Sequence, residues 1–189
     1  AESLAKIGKI KNEEALLKVA NAIAMCTPDD VFINTGSADD VAWIRKYSLE
    51  KGEEAPLAKK GHTIHFDLPQ DQARLVNQTF YIVNPDEKIS VLAKKTVRDE
   101  ALAYVKKWMT GIGKGTRLMI GFYTRGPAGA PATIPALEMS TSTYVMHSAN
   151  ILYRNSYATF DAKVERTGVF FTNVHSEGLN RDEDLPNAR

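Results

Sequence analysis

The stretch that most constrains this chain runs from Lys114 to Arg154, KGTRLMIGFYTRGPAGAPATIPALEMSTSTYVMHSANILYR. Arg117 to Tyr123 is an apolar run of strand formers that stops at Gly126-Pro127. That pair, with Gly129 and Pro131, punctuates a loop. Ala136 to Ser140 reads as a second strand, and Tyr144 to Arg154 as a helix with Tyr144, Met146, Ile151 and Leu152 as its core contacts. The loop between the strands has no room for a crossover helix, so at least this pair is expected to be antiparallel. A glycine–proline loop of this kind is fixed in shape. It suits a brace between two strands, or backbone N–H groups brought close to an anion or a neighbouring domain.

Elsewhere strands and helices alternate, which predicts an α/β fold: a layered domain with a mixed β-sheet flanked by helices. Lys11 to Cys26 has Leu16, Val19, Ala20 and Ile23 on one helical face, and Thr27-Pro28 ends it. Val31-Phe32-Ile33 is a short strand that leads through Gly36-Ser37 into a helix ending near Glu50, with Val41, Ile44 and Tyr47 inward. Ser37 and Asp40 have capping-box spacing. This strand–glycine–helix entry reads as a structural turn, since one glycine is far short of a nucleotide fingerprint. Lys51 to Gly61 is a polar connector. His62 to Phe66 alternates as a strand, which turns His62 and His65 to opposite faces and denies them a shared metal. Thr79 to Val83 is another strand and Asn84 to Glu87 a turn. Thr96 to Met109 is a helix with Leu102, Val105, Trp108 and Met109 on one face and a Thr96–Asp99 capping box.

Three sites of apparent chemistry weaken on inspection. Gly111 to Thr116 has Trp108 where a Walker loop needs its first glycine and Gly115 where it needs Ser or Thr, and it follows a helix rather than a strand. It reads as a helix C-cap and turn. His175-Ser176, at the end of the apolar strand Gly168 to Val174, are neighbours in sequence, and a catalytic dyad is a matter of geometry in the fold. Arg74, in the polar loop Asp67 to Arg74, reads by residue type as a solvated surface arginine first and as an anion ligand second. Ser156 to Arg166 is a helix or an irregular segment.

The order Lys114-Gly115, Gly126-Pro127, Gly129, Pro131, Glu138, Ser142, Tyr144-Val145, Ser148, Ile151 and Arg154 resembles GTP-dependent phosphoenolpyruvate carboxykinase. The Arg74 loop is similar to the family pattern D-P-x-D-x-A-R, matched by Pro69, Asp71, Ala73 and Arg74 with Leu68 inserted. The resemblance reverses the reading of Arg74: it becomes the substrate-binding residue, contacting oxaloacetate or phosphoenolpyruvate. Val76 stands where the family has a glutamate, and the strand end His175-Ser176-Glu177-Gly178 matches a further family segment, with Pro186 in the loop beyond it. The resemblance implies residues 1–178 as a single α/β substrate-binding (N-terminal) domain and 179–189 as a polar tail or the start of a missing catalytic domain. The Mn²⁺, Mg²⁺ and GTP of the full-length enzyme would be held in that missing C-terminal nucleotide-binding domain, and none is expected on this part, which has no catalytic or metal-binding residue of its own. No G-x-x-x-x-G-K-[ST] segment occurs in the 189 residues.

Composition narrows the partners. A net charge of +1 gives no argument for nucleic acid, and no apolar run is long enough to span a membrane. One cysteine, Cys26, excludes an internal disulfide framework and fits a cytoplasmic location. The chain begins without Met, as a trimmed piece of a longer protein would. Two other readings stay open at this level: a stand-alone, non-catalytic α/β domain that binds a small carboxylate or phosphate, and a scaffold that shares only the fold.

Overall fold

The computed structural model describes residues 2–65 and 79–175. In chain order the elements are α1 (Glu2–Ile7), α2 (Glu13–Cys26), β1 (Asp30–Asn34), α3 (Ala38–Lys51), β2 (Ala55–Pro56), β3 (Thr63–Ile64), β4 (Tyr81–Val83), β5 (Lys95–Val97), α4 (Arg98–Met109), β6 (Arg117–Arg125), β7 (Ile134–Ser140), α5 (Thr143–Leu152), β8 (Arg154–Asn155), a 3-10 turn at Tyr157–Thr159, α6 (Phe160–Thr167) and β9 (Phe171–His175). The Arg74 loop, Ser176 and the tail lie outside the described residues.

The main sheet has the order β1-β6-β7-β9, with β8 added on β6. Strand β6 is parallel to β1 and antiparallel to β7, and β7 is parallel to β9, so the expected mixed sheet is present and the hairpin around Gly126 is its antiparallel step. Leu118 to Thr124 are buried without a break, as a strand covered on both faces requires. Side chains alternate along it. Leu118, Ile120 and Phe122 join Ile33, Leu137, Met139, Phe160 and Val164 in one core, under α2 and α6. Met119 and Tyr123 join Ile44, Met146 and Ala149 in a second, under α3 and α5. The result is a three-layer α/β/α domain.

Several sequence expectations shift. Helix α5 buries Val145, Met146 and Ala149, while Ile151 and Leu152 are each 65% exposed. Ile151 sits about 140° around the helix from Met146. Leu152 ends the last turn, and Arg154 belongs to β8 rather than to the helix. In α2 Val19 is buried and Leu16 and Ile23 pack against the core as their spacing predicts, Ala15, Ala22 and Cys26 are buried with them, and Ala20 is exposed. Helix α4 buries no residue. It has Val97 as its N-cap with no side-chain bond, so the Thr96–Asp99 capping box does not form; Thr96 lies in β5 and donates to Glu100. Strand β3 is two residues long and pairs with β2, inside the stretch that reads as a connector. The turn at Gly111 to Thr116 is a brace: the N–H groups of Gly111 and Gly113 donate to Met25 and Cys26 carbonyls, and a Cβ on Gly113 would stand 2.8 Å from the Cys26 oxygen.

Candidate functional site

Register places Asn34, Gly121, Glu138 and Asn173 in one polar row across the sheet, on the face covered by α3 and α5. The ring of Tyr123 lies over bare Gly121, where a Cβ would meet it at 2.4 Å. Its hydroxyl accepts from Asn34 Nδ2 (2.7 Å) and donates to Asn150 Oδ1 (2.8 Å). Burial drives the Tyr123 phenol well above its usual range, so this triad holds its shape without titrating.

Further along the row Glu138 has only 5% of its side chain exposed. Its Oε2 accepts from Asn173 Nδ2 (2.8 Å) and from Arg125 Nη2 (3.4 Å). The Arg125 guanidinium also donates to the Tyr153 hydroxyl (2.8 Å) and stacks on that ring, 4.2 Å from its centre. His175, 58% exposed at the end of β9, has Nδ1 3.8 Å from Glu138 Oε1. A carboxylate this enclosed needs partners. Here they come from two neighbouring strands, β6 and β9, so Glu138 of β7, which the sequence marks only as part of a motif, ties the three together.

The carboxyl ends of parallel strands are where α/β folds place their ligands, and here β7 and β9 are the parallel pair. Ser140 of β7 pairs in register with His175, and Ser142 opens α5 as its N-cap, accepting from Val145 N–H (3.2 Å). The anion position at this helix start is filled from within. Glu53 Oε2 accepts from Tyr144 N–H and from Ser142 Oγ, both at 2.9 Å, and Lys51 Nζ reaches Glu53 Oε1 at 2.7 Å. Burial opposes the Glu53 charge, but the bonds from Lys51, Tyr144 and Ser142, with the Thr143 hydroxyl nearby, outweigh it and hold the carboxyl below its usual value. Glu54 is held low in the same way: burial opposes ionisation, and the nearby Ser48 hydroxyl with the bonds from His147 and Thr63 overcomes it.

The two histidines expected within one strand flank it instead, since β3 is only Thr63–Ile64. His62 is exposed, whereas His65 is half buried, stacked on Tyr144 (3.7 Å between ring centres, 11° between planes) with Nδ1 2.6 Å from the Glu53 carbonyl. Arg74, the one residue assigned to substrate, lies outside the described residues. What is described is the stem from which its segment starts, and that stem rests on the first turn of α5.

Other anion positions are spent on the protein itself. At the start of α3, Ser37 caps Asp40 N–H (3.1 Å), Gly36 N–H donates to Asn34, and the Asp40 carboxylate takes Thr35 N–H, Thr35 Oγ1 and Lys6 Nζ. In the Gly126 loop the Ala130 and Thr133 N–H groups donate to carbonyls within the loop, and Lys163 and Arg166 of α6 bind its outer carbonyls. A pocket of about 460 Å³ beside β1 is lined by Lys6, Asp40, Trp43 and Arg117 among others; its cations pair with Glu2, Asp40 and Asp30. Among the described residues no group of three His, Cys, Asp or Glu side chains could hold a metal ion, so these residues do not fit a metal centre. No helix among them is long and apolar enough to cross a membrane.

Fold and strand-end residues define an α/β domain with a largely buried polar cluster at the carboxyl ends of parallel strands. The chain belongs to the phosphoenolpyruvate carboxykinase N-terminal domain family, which it matches over residues 18–188. It is 37% identical over 177 residues to the phosphoenolpyruvate carboxykinase (GTP) of Saccharolobus solfataricus, covering 94% of this chain and 28% of that protein. The enzyme of the same name from Thermococcus kodakarensis is also 37% identical over 177 residues, with the same coverage. That of Treponema pallidum is 26% identical over 178 residues. The chain thus spans little more than a quarter of the length of these relatives.

Proposed function

We propose that this chain is the substrate-binding, N-terminal part of a GTP-dependent phosphoenolpyruvate carboxykinase, with residues 1–178 as one domain. The reaction is the reversible conversion of oxaloacetate and GTP to phosphoenolpyruvate, GDP and carbon dioxide, a step of gluconeogenesis in the cytoplasm. The observation that carries this reading is 37% identity over 94% of the chain to proteins named for that activity. Arg74 binds the anionic substrate, because a planar guanidinium donates paired hydrogen bonds to carboxylate or phosphate. It orients the substrate and does no proton chemistry. Mn²⁺, Mg²⁺ and GTP belong to the part of the enzyme beyond this chain. When bound, the metals neutralise charge on the phosphates and the enolate.

The test compares two preparations of the protein. The full-length enzyme is expected to decarboxylate oxaloacetate in strict dependence on GTP, and the 189-residue chain alone to show no turnover. A full-length protein without GTP-dependent decarboxylation would overturn the reading.

A further inference from the structure

The small sheet of β4 and β5 stands apart from the main sheet. Among the described residues it has only these two strands, paired in parallel with Tyr81 against Lys95, Ile82 against Thr96 and Val83 against Val97. Parallel pairs are weaker than antiparallel ones and occur almost only in sheets covered on both faces. Two strands alone do not hold themselves in water. Yet Tyr81 and Ile82, which point to opposite faces because side chains alternate, are 59% and 61% exposed. Phe80 before them is half exposed, and Val91 and Leu92, in the connection to β5, are almost wholly exposed. Helix α4 lies against both strands without burying a residue of its own. Five large apolar side chains within residues 80–92 thus stand in water, whereas the main sheet is covered by apolar clusters on both faces. An exposed apolar patch of this kind marks a contact surface.

From this geometry we infer that β4, β5 and their connection form an interdomain surface, on which the remainder of the enzyme's own polypeptide packs. The inference rests on the reading of the chain as the N-terminal part of a carboxykinase, and that reading supplies the occupant. The chain matches an N-terminal domain family and covers 28% of the Saccharolobus solfataricus enzyme, so on that reading the larger part of the polypeptide lies beyond it. A partner joined covalently is present at high effective concentration. An exposed, apolar strand edge left open in the finished enzyme would invite aggregation. The rim has its own chemistry. Residues 79–110 carry six Lys and Arg against four Asp and Glu, and Lys88 and Lys106 are exposed. The surface therefore fits a partner with an apolar centre and carboxylates around it, the usual layout of an apolar core within a polar rim.

The experiment is hydroxyl-radical footprinting of the wild-type full-length enzyme, read residue by residue by mass spectrometry and compared with the urea-unfolded protein. Leu92 is the reporter, because this domain leaves it 89% exposed. Its modification rate is expected to fall at least about 5-fold below the unfolded rate, since a packed contact excludes water. Weaker protection overturns the inference. A photo-crosslinking amino acid in place of Leu92, and separately in place of Ile82, then identifies the occupant. The expected product is a crosslink within one polypeptide to a residue beyond position 189. If neither site gives that product, the inference is overturned. A crosslink between two polypeptides, with protection lost on about tenfold dilution, assigns the surface to a second copy and also overturns it. GTP-dependent decarboxylation is assayed on the same wild-type preparation. An active enzyme with an unprotected Leu92 overturns the inference alone. A protein without that activity overturns the functional reading, and the inference with it.

Discussion

Strand β6 and helix α4 are almost equally apolar. Five of nine residues in β6 and seven of twelve in α4 are Ala, Leu, Ile, Val, Met, Phe, Tyr or Trp. Yet β6 is buried from Leu118 to Thr124, whereas α4 buries nothing. The difference is position. Strand β6 is central, with cores on both faces, while α4 lies against the two three-residue strands β4 and β5. In the connection between those strands Val91 and Leu92 are 99% and 89% exposed. Apolar content sets what an element can bury, and its neighbours in the fold decide what it does bury. The cohesion of this domain therefore lies in the main sheet, and the β4–β5–α4 unit is a thinly packed attachment to it.

The largest expected effect that would break this contrast is at Phe122, fully buried with its ring 4.9 Å from Phe160. Phe122→Ala is expected to destabilise the domain by about 3–5 kcal/mol in urea unfolding, and a loss below about 1 kcal/mol would show that the main sheet is not the seat of stability. A smaller effect separates two glycines. Gly113→Ala drives a methyl onto the Cys26 carbonyl and is expected to cost about 1–3 kcal/mol. Gly129→Ala, with open space around its Cβ, is expected to be near neutral, and equal melting temperatures would refute the brace assigned to the Gly111–Thr116 turn.

Acid sharpens the same contrast. Burial opposes ionisation of Asp40, but bonds from Lys6 and Thr35 and the Lys6 charge hold its carboxyl below the ordinary 3.8. A depressed carboxylate stabilises the fold above that value and loses the contribution as pH falls through its folded value. Asp40→Asn is therefore expected to lower the melting temperature at pH 7 and to shrink the gap from wild type as pH falls below 3.8. A gap that widens in acid would reverse the assignment. The smallest effect belongs to α4: Val105→Ser, at a position 40% exposed, is expected to stay within about 0.5 kcal/mol of wild type by the same unfolding assay.

Much of the main sheet was legible before any coordinates. The apolar run of β6, the Gly126-Pro127 punctuation and the Ser37 cap are local signals, and local signals decide local structure. The lack of a buried residue in α4 was not, because a helical apolar stripe announces a face to cover and says nothing of whether a partner arrives. The contacts of Glu53 and Glu54 with α5 were invisible for a different reason. Glu53 and Glu54 sit in a polar run that reads as a connector, and their partners on α5 lie about ninety residues away in sequence. Glu138 showed as a motif position, but its joining of β6, β7 and β9 depends on strand order, which no periodicity encodes. The substrate reading of Arg74 rests on resemblance alone, since an isolated arginine in a polar loop carries no signal of its own.

The central claim is that this domain contributes the substrate arginine of a carboxykinase, and the most direct measurement is KM for phosphoenolpyruvate in the full-length enzyme bearing Arg74→Ala. Loss of a charged, paired hydrogen-bond donor is expected to raise that KM about 10-fold or more, with KM for GDP unchanged. A KM for phosphoenolpyruvate equal to that of wild type would contradict the account.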